Sequence, residues 1–149
     1  MQPANQQQCI SSTTDKEVES FEIANWKSED IAHYGREIHW DKRKPDFFTF
    51  KAEKDAVVVG VIGGNHIAGV LFIERIIVKD TVHNQGIGKL LLHKVEEYAK
   101  EIGAHKIYLS TGKEWGANEF YKTYGYEKKG ELTKHFYKVD FVIYSKLLI

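Results

Sequence analysis

A chain of 149 residues, 42% of them hydrophobic, carries enough apolar material for one closed core and leaves little room for two. Its 21 Lys and Arg residues balance 21 Asp and Glu residues, which speaks against a nucleic-acid binder, because phosphate recognition draws on a basic excess. Cys9 is the sole cysteine, so no internal disulfide forms, in keeping with a cytoplasmic location; no apolar run is long enough for a membrane-spanning helix.

Residues 1–17, rich in Gln, Ser and Thr, lack the regions of a signal peptide and read as a flexible lead-in. An edge strand is expected around residues 19–23. Ser28 is placed to cap a helix over residues 29–39, with Glu29 and Asp30 in its first turn and Ile31, Tyr34 and Ile38 as its stripe. Pro45 closes that region. Phe48, Phe50 and Ala52 alternate with polar residues as a strand does. After a turn at Lys54-Asp55, residues 56–62 form a β-branched run suited to a buried strand. Gly63-Gly64-Asn65 signals a turn or bulge. Residues 67–78 read as one long strand, broken near Gly69.

A helix is expected over residues 86–101, burying Leu91, Val95, Tyr98 and Ile102, with Gly103 as its left-handed stop. A short strand follows at residues 106–110. A second helix spans 114–124 and stops at Gly125. Residues 126–131 and 136–146 read as an antiparallel strand pair. The order gives an α/β (α+β) fold, one domain over residues 1–149, in which a βαβ unit lies inside a mostly antiparallel sheet.

The junction His83-Asn84-Gln85-Gly86-Ile87-Gly88-Lys89-Leu90 places two glycines where a strand hands over to a helix. It fails as a Walker A loop, because His83 stands for the first Gly and Leu90 for Ser/Thr. It fails as a dinucleotide loop, because Leu91 stands for the third Gly. What remains is a glycine turn opening a helix whose first amides have no internal partner, an arrangement that suits a phosphate. A tight turn without a ligand satisfies the spacing as well.

The stretch from Glu74 to Thr111 resembles the core of the GNAT N-acetyltransferase family, whose signature is Gln/Arg-x-x-Gly-x-Gly/Ala after a strand ending in Val. Gly86 and Gly88 match the two glycines. Ala117-Asn118-Glu119-Phe120-Tyr121-Lys122-Thr123-Tyr124-Gly125-Tyr126 resembles the family's second element, and the order and separation agree over roughly residues 48–146. His83 departs from the pattern, standing where the family has Gln or Arg; it is shorter than Arg and can be neutral at pH 7.

The resemblance implies a mostly antiparallel mixed sheet with one splayed parallel pair, flanked by helices. It implies acetyl-CoA as cosubstrate and direct transfer to a primary amine. The cofactor contacts it implies are Ile76, Ile77 and Val78 in the strand, His83, Asn84, Gln85, Gly86, Ile87, Gly88, Lys89 and Leu90 in the loop, and Asn118 and Tyr121 in the second helix. Tyr121 matches the family's general acid, and a phenol stays protonated at pH 7; a plain core stripe of Ala117, Phe120, Tyr121 and Tyr124 is the alternative. Glu74 is the candidate base, since burial in its apolar strand would raise its pKa; a salt bridge or an edge position is the alternative. Trp40, Phe47, Glu74 and His135 are the candidate acceptor contacts. The acceptor, small molecule or protein, stays open, as does a homodimer. No metal, nucleic acid or membrane is expected. A non-catalytic acyl-CoA-binding module and a cofactor-free interaction domain are the competing readings.

Overall fold

The computed structural model describes residues 8–148, and the side chains of Trp40 and Asp41 lie outside the described set. The chain divides into two compact units between Asp41 and Lys42.

The N-terminal unit holds one helix, α1 (Asp15–Tyr34). Thr14 caps it, its hydroxyl accepting the Glu17 N–H at 3.3 Å, with Asp15 and Glu17 complementing the dipole. The expected edge strand at residues 19–23 is therefore helical. Those residues contain Ile23 as their only β-branched side chain, too little strand preference to oppose a capped helix. Ser28 is not a cap: its hydroxyl donates to the Asn25 carbonyl at 3.1 Å, inside the helix. Gly35, at φ 73°, stops the helix before Ile38. Buried Asp30 then accepts the Ile38 N–H at 3.2 Å. Residues 1–7 of the expected lead-in lie outside the described residues.

The C-terminal unit is a six-stranded sheet in the order β1-β2-β3-β4-β6-β5. Its strands are β1 (Asp46–Lys54), β2 (Val57–Ile67), β3 (Val70–Val78), β4 (Lys106–Gly112), β5 (Glu127–Leu132) and β6 (Phe141–Leu147), with helices α2 (Ile87–Glu101) and α3 (Ala117–Thr123). All neighbours are antiparallel except β3 and β4, the mixed sheet that the resemblance implies. Leu91, Leu92, Val95 and Ala99 of α2 are buried against Phe48, Ile62, Leu71, Ile107 and Leu109. Ile102, expected on that face, is 36% exposed. A Cβ at Gly60 would lie 3.0 Å from Leu91 and 3.1 Å from Ile87, so this glycine lets α2 close onto the sheet.

The break expected near Gly69 is the hairpin turn, and of the turn and the bulge signalled at Gly63-Gly64-Asn65 the structure has the bulge. β2 runs straight through Gly63 and Gly64, and the hairpin turn falls at Ala68 and Gly69 (φ 55° and 79°), the left-handed pair a two-residue hairpin requires. The two inner glycines serve a bulge. Gly64 pairs with Ile73 and Gly63 with Arg75, leaving Glu74 as an extra residue in β3. A Cβ on Gly64 would come 1.9 Å from the Phe72 carbonyl oxygen, a position no side chain tolerates. Farther on, α3 is shorter than expected because residues 113–116 form a turn, the Trp115 N–H donating to Gly112 O at 3.0 Å. β6 begins at Phe141; Phe136–Lys138, expected as strand, form a 3-10 turn.

Candidate active site

β3 and β4 pair over only three rows, Val70 with Lys106, Leu71 with Ile107 and Phe72 with Tyr108. Beyond them β3 stays with β2 and β4 stays with β6. The strands part at the row where the Glu74 bulge adds twist to β3, so a fork opens toward their C-terminal ends.

Main-chain groups line this fork. The Lys79 N–H donates to Val59 O at 2.8 Å. Antiparallel alternation then turns the main chain of Ile77 toward β2, and that of Ile76 and Val78 into the fork. By the same rule, the 2.9 Å bond from Lys113 N–H to Asp140 O sends the main chain of Ser110 and Gly112 into the fork from the other side. Of the three expected strand contacts, Ile76 therefore presents its main-chain groups and Val78 its N–H, the Val78 carbonyl being taken by His83, and Ile77 presents neither.

The glycine loop continues from β3. Asn84 and Gly86 take φ 64° and 78°. Gly86 is the N-cap of α2, with no side-chain cap and no acid in the first turn. The first intrahelical bond runs from Leu90 N–H to Gly86 O at 3.1 Å. Among the described residues, the N–H groups of residues 84–89 have no acceptor, whereas the amide of Leu90, an expected contact, is taken. Lys54, at the β1–β2 hairpin, donates to Gln85 Oε1 at 3.2 Å. The His83 ring does not face the loop amides: its Nε2 lies 2.8 Å from Val78 O and 3.6 Å from Asp80 Oδ1. A Cβ at Gly88 would point to Phe120 (3.4 Å) and Val78 (3.9 Å), so this glycine seats α2 against α3.

Tyr121 stands on α3 with its ring buried against Phe120, Tyr126 and Tyr144 at centroid distances of 5.3, 5.9 and 6.0 Å. Tyr144 pairs across the sheet with Leu109, the first β4 residue past the split. The Tyr121 hydroxyl has no hydrogen-bond partner among the described residues. It is not sealed off either, since among the described residues the buried side-chain polar atom without a partner is His66 Nδ1, not the Tyr121 hydroxyl. Burial pushes the phenol up to about 12.

Glu74 departs from expectation. It is not buried in an apolar strand: the bulge brings its carboxylate to the surface, 37% exposed. There Asn65 Nδ2 donates to it at 2.7 Å and Arg75 Nη1 lies 3.7 Å away. Asn118 is likewise engaged within the protein. Its Nδ2 donates to the carbonyls of Gly112 (2.9 Å) and Trp115 (2.6 Å), and its Oδ1 accepts from the Tyr144 hydroxyl at 2.7 Å. It anchors the turn between β4 and α3.

Phe47, opposite Asn65 on β1, is 72% exposed on the face away from α2. His135 packs against Phe136 and Phe141 at 4.3 and 5.4 Å. Trp40, the remaining acceptor candidate, has its side chain outside the described set. Thr49, Asn65 and Arg75 gather with Glu74 on the face away from α2; their one signal in the sequence was a polar side chain inside an apolar strand.

The family model described as "Acetyltransferase (GNAT) family" matches residues 11–126. The chain belongs to the GNAT acetyltransferase family. Its fold is shared by an acetyltransferase from Bacillus cereus ATCC 14579, at 24% identity and TM-score 0.70 over 95% of this chain and 98% of that one. It is shared by a GNAT family acetyltransferase from Elizabethkingia anophelis with acetyl-CoA bound, at 22% identity and TM-score 0.63 over 67% and 75%. The ribosomal-protein-S18-alanine N-acetyltransferase from Escherichia coli matches at 13% identity and TM-score 0.64 over 92% and 91%. No curated protein sequence matches the chain.

Acetyl-CoA is the GNAT cosubstrate, and the residues present fit it. A run of unpartnered amides at an uncapped helix N-terminus suits a diphosphate. The open edges of β3 and β4 offer N–H and C=O groups to an amide-bearing arm, as a sheet edge does to an added strand. No described helix of this GNAT protein is long and apolar enough to cross a membrane.

Proposed function

We propose that this acetyltransferase is an N-acetyltransferase that moves the acetyl group directly to a primary amine, of a small molecule or a protein. The observation that carries it is the fork: an open main-chain edge continuous with the unpartnered amides of residues 84–89. Two proton-transfer groups stand at the row of the split, Glu74 in the β3 bulge and Tyr121 against Tyr144.

Acetyl-CoA, when bound, supplies the thioester. The amine nitrogen forms a bond to the acetyl carbon and the carbon–sulfur bond breaks. Glu74, exposed to solvent and held by Asn65, removes the ammonium proton through water. Tyr121 returns a proton to the leaving sulfur, its buried phenol remaining a donor throughout the physiological range. The main chain of Ile76 and Val78 holds the acyl arm. His83 orients the strand end by its bond to Val78 O, leaving the loop amides to carry the phosphates.

The test is free-thiol release from acetyl-CoA across a panel of amines, with mass spectrometry of the product. Acetyl on nitrogen is expected. Coenzyme A binding without turnover on any amine would return the non-catalytic binding module.

A further inference from the structure

We infer that Arg75 anchors a carboxylate on the acceptor, so that the preferred substrate is a small amine carrying an acid group several bonds from its nitrogen. This rests on the N-acetyltransferase reading above. Consecutive strand residues point to opposite faces, but the bulge brings Glu74 and Arg75 to the same face, away from α2. Each is held by a different partner. Glu74 takes Asn65, and Arg75 lies over Gly63 and donates from Nη2 to Thr49 Oγ1 at 3.1 Å.

The guanidinium needs the bare backbone beneath it, since a Cβ on Gly63 would sit 2.6 Å from its central carbon. Of its five N–H donors, Thr49 takes one. Glu74 at 3.7 Å adds attraction without a hydrogen bond. Arg75 is 51% exposed, so donors remain for a carboxylate in the two-pronged geometry that suits guanidinium. Lys51, the cation farther along β1 on this face, is already paired with Glu53.

Spacing sets the substrate's length. The Arg75 guanidinium reaches across β2, so an acid bound there lies roughly 5–10 Å from an amine in the fork, one to two strand spacings. The Phe72–Tyr108 stack, 4.7 Å between centroids on the last paired row, walls the closed end of the fork with apolar rings.

The experiment is steady-state kinetics with 4-aminobutyrate, n-butylamine and glycine. The wild type is expected to show a KM for 4-aminobutyrate about 10- to 100-fold below that for n-butylamine, the span of a charge-assisted contact. Glycine, too short to reach, is expected to be no better than n-butylamine. Arg75→Gln should remove the advantage by raising the 4-aminobutyrate KM alone, with the n-butylamine and acetyl-CoA constants unmoved, and Arg75→Lys should restore part of it. Thr49→Val, which only unhooks the guanidinium, should act in the same direction and serves if Arg75→Gln does not fold. Equal wild-type constants for 4-aminobutyrate and n-butylamine, or an Arg75→Gln effect shared by both, would overturn the inference while leaving N-acetylation intact. Acetylation of none of the three amines despite coenzyme A binding would count against the N-acetyltransferase reading itself, and the inference would fall with it.

Discussion

Tyr121 shows how one side chain serves both fold and chemistry. Its ring fills the core beside Tyr144, while its hydroxyl bonds to no described residue. Tyr121→Phe should therefore keep the packing and lower turnover about 10²- to 10⁴-fold, the range for a general acid, with acetyl-CoA affinity little changed. Unchanged turnover with a true acceptor would leave Tyr121 a core residue only. An independent readout comes from alkaline unfolding. The phenol titrates at 10.0 when unperturbed and at about 12 in the fold. Its protonated form thus stabilises the fold fully below pH 10, and that contribution is lost as pH rises through about 12. Denaturant titrations should show the wild type losing up to about 3 kcal/mol more than Tyr121→Phe over this window. Parallel losses in the two proteins would contradict the burial argument. Glu74 is exposed, so Glu74→Gln should shift stability by no more than about 0.5 kcal/mol. The activity it loses should recover as pH rises and free amine replaces ammonium; a loss that stays constant with pH would remove Glu74 from proton transfer.

At the scale of elements, the two glycines of the loop separate into different jobs. Gly86 sits at φ 78° with open space around it; conformation demands it. Gly88 has ordinary helical surroundings, and a Cβ there would meet Phe120 at 3.4 Å; packing demands it, and only for side chains larger than alanine. Gly86→Ala should cost about 1–2 kcal/mol of stability and weaken coenzyme A binding by disturbing the amide run. Gly88→Ala should bind coenzyme A nearly as wild type, with stability unchanged or raised by up to about 1 kcal/mol from helix propensity. Calorimetry and thermal melts on the pair decide this, and equal damage from both would show that the loop treats its glycines alike. The sequence made this junction legible because strand, turn and helix each announce themselves locally. It left turn and bulge open at Gly63-Gly64-Asn65, and the close approach of Phe72 O decides for the bulge that makes Glu74 the extra residue of β3. α1 was misread for a related reason: Thr14 and Ser28 are both plausible caps, and which one starts a helix depends on the residues that follow.

In the whole molecule, one parallel pair in an antiparallel sheet creates the site. β4 must return parallel to β3 because α2 crosses between them, and three rows of pairing hold only one end closed. That topology was legible from element order, but the polar groups placed around the fork were not. The faces of Phe47, Asn65, Thr49 and Arg75 depend on register, and the bulge shifts register by one residue. The architecture makes a spatially resolved prediction. Coenzyme A should slow hydrogen exchange at the amides that face the fork or cap α2, namely Ile76, Val78 and residues 84–89, because these lack acceptors among the described residues. Leu71 and Ile107, already paired at the closed end, should change little. Ile77 serves as an internal control, since its amide is bonded to β2 with or without ligand. At a hundredfold excess over Kd, the same binding should stabilise the fold by about 2.7 kcal/mol in a thermal or denaturant melt. Stabilisation with protection spread evenly over the sheet would mean that the ligand tightens the fold from elsewhere, and the fork would then not be where coenzyme A sits.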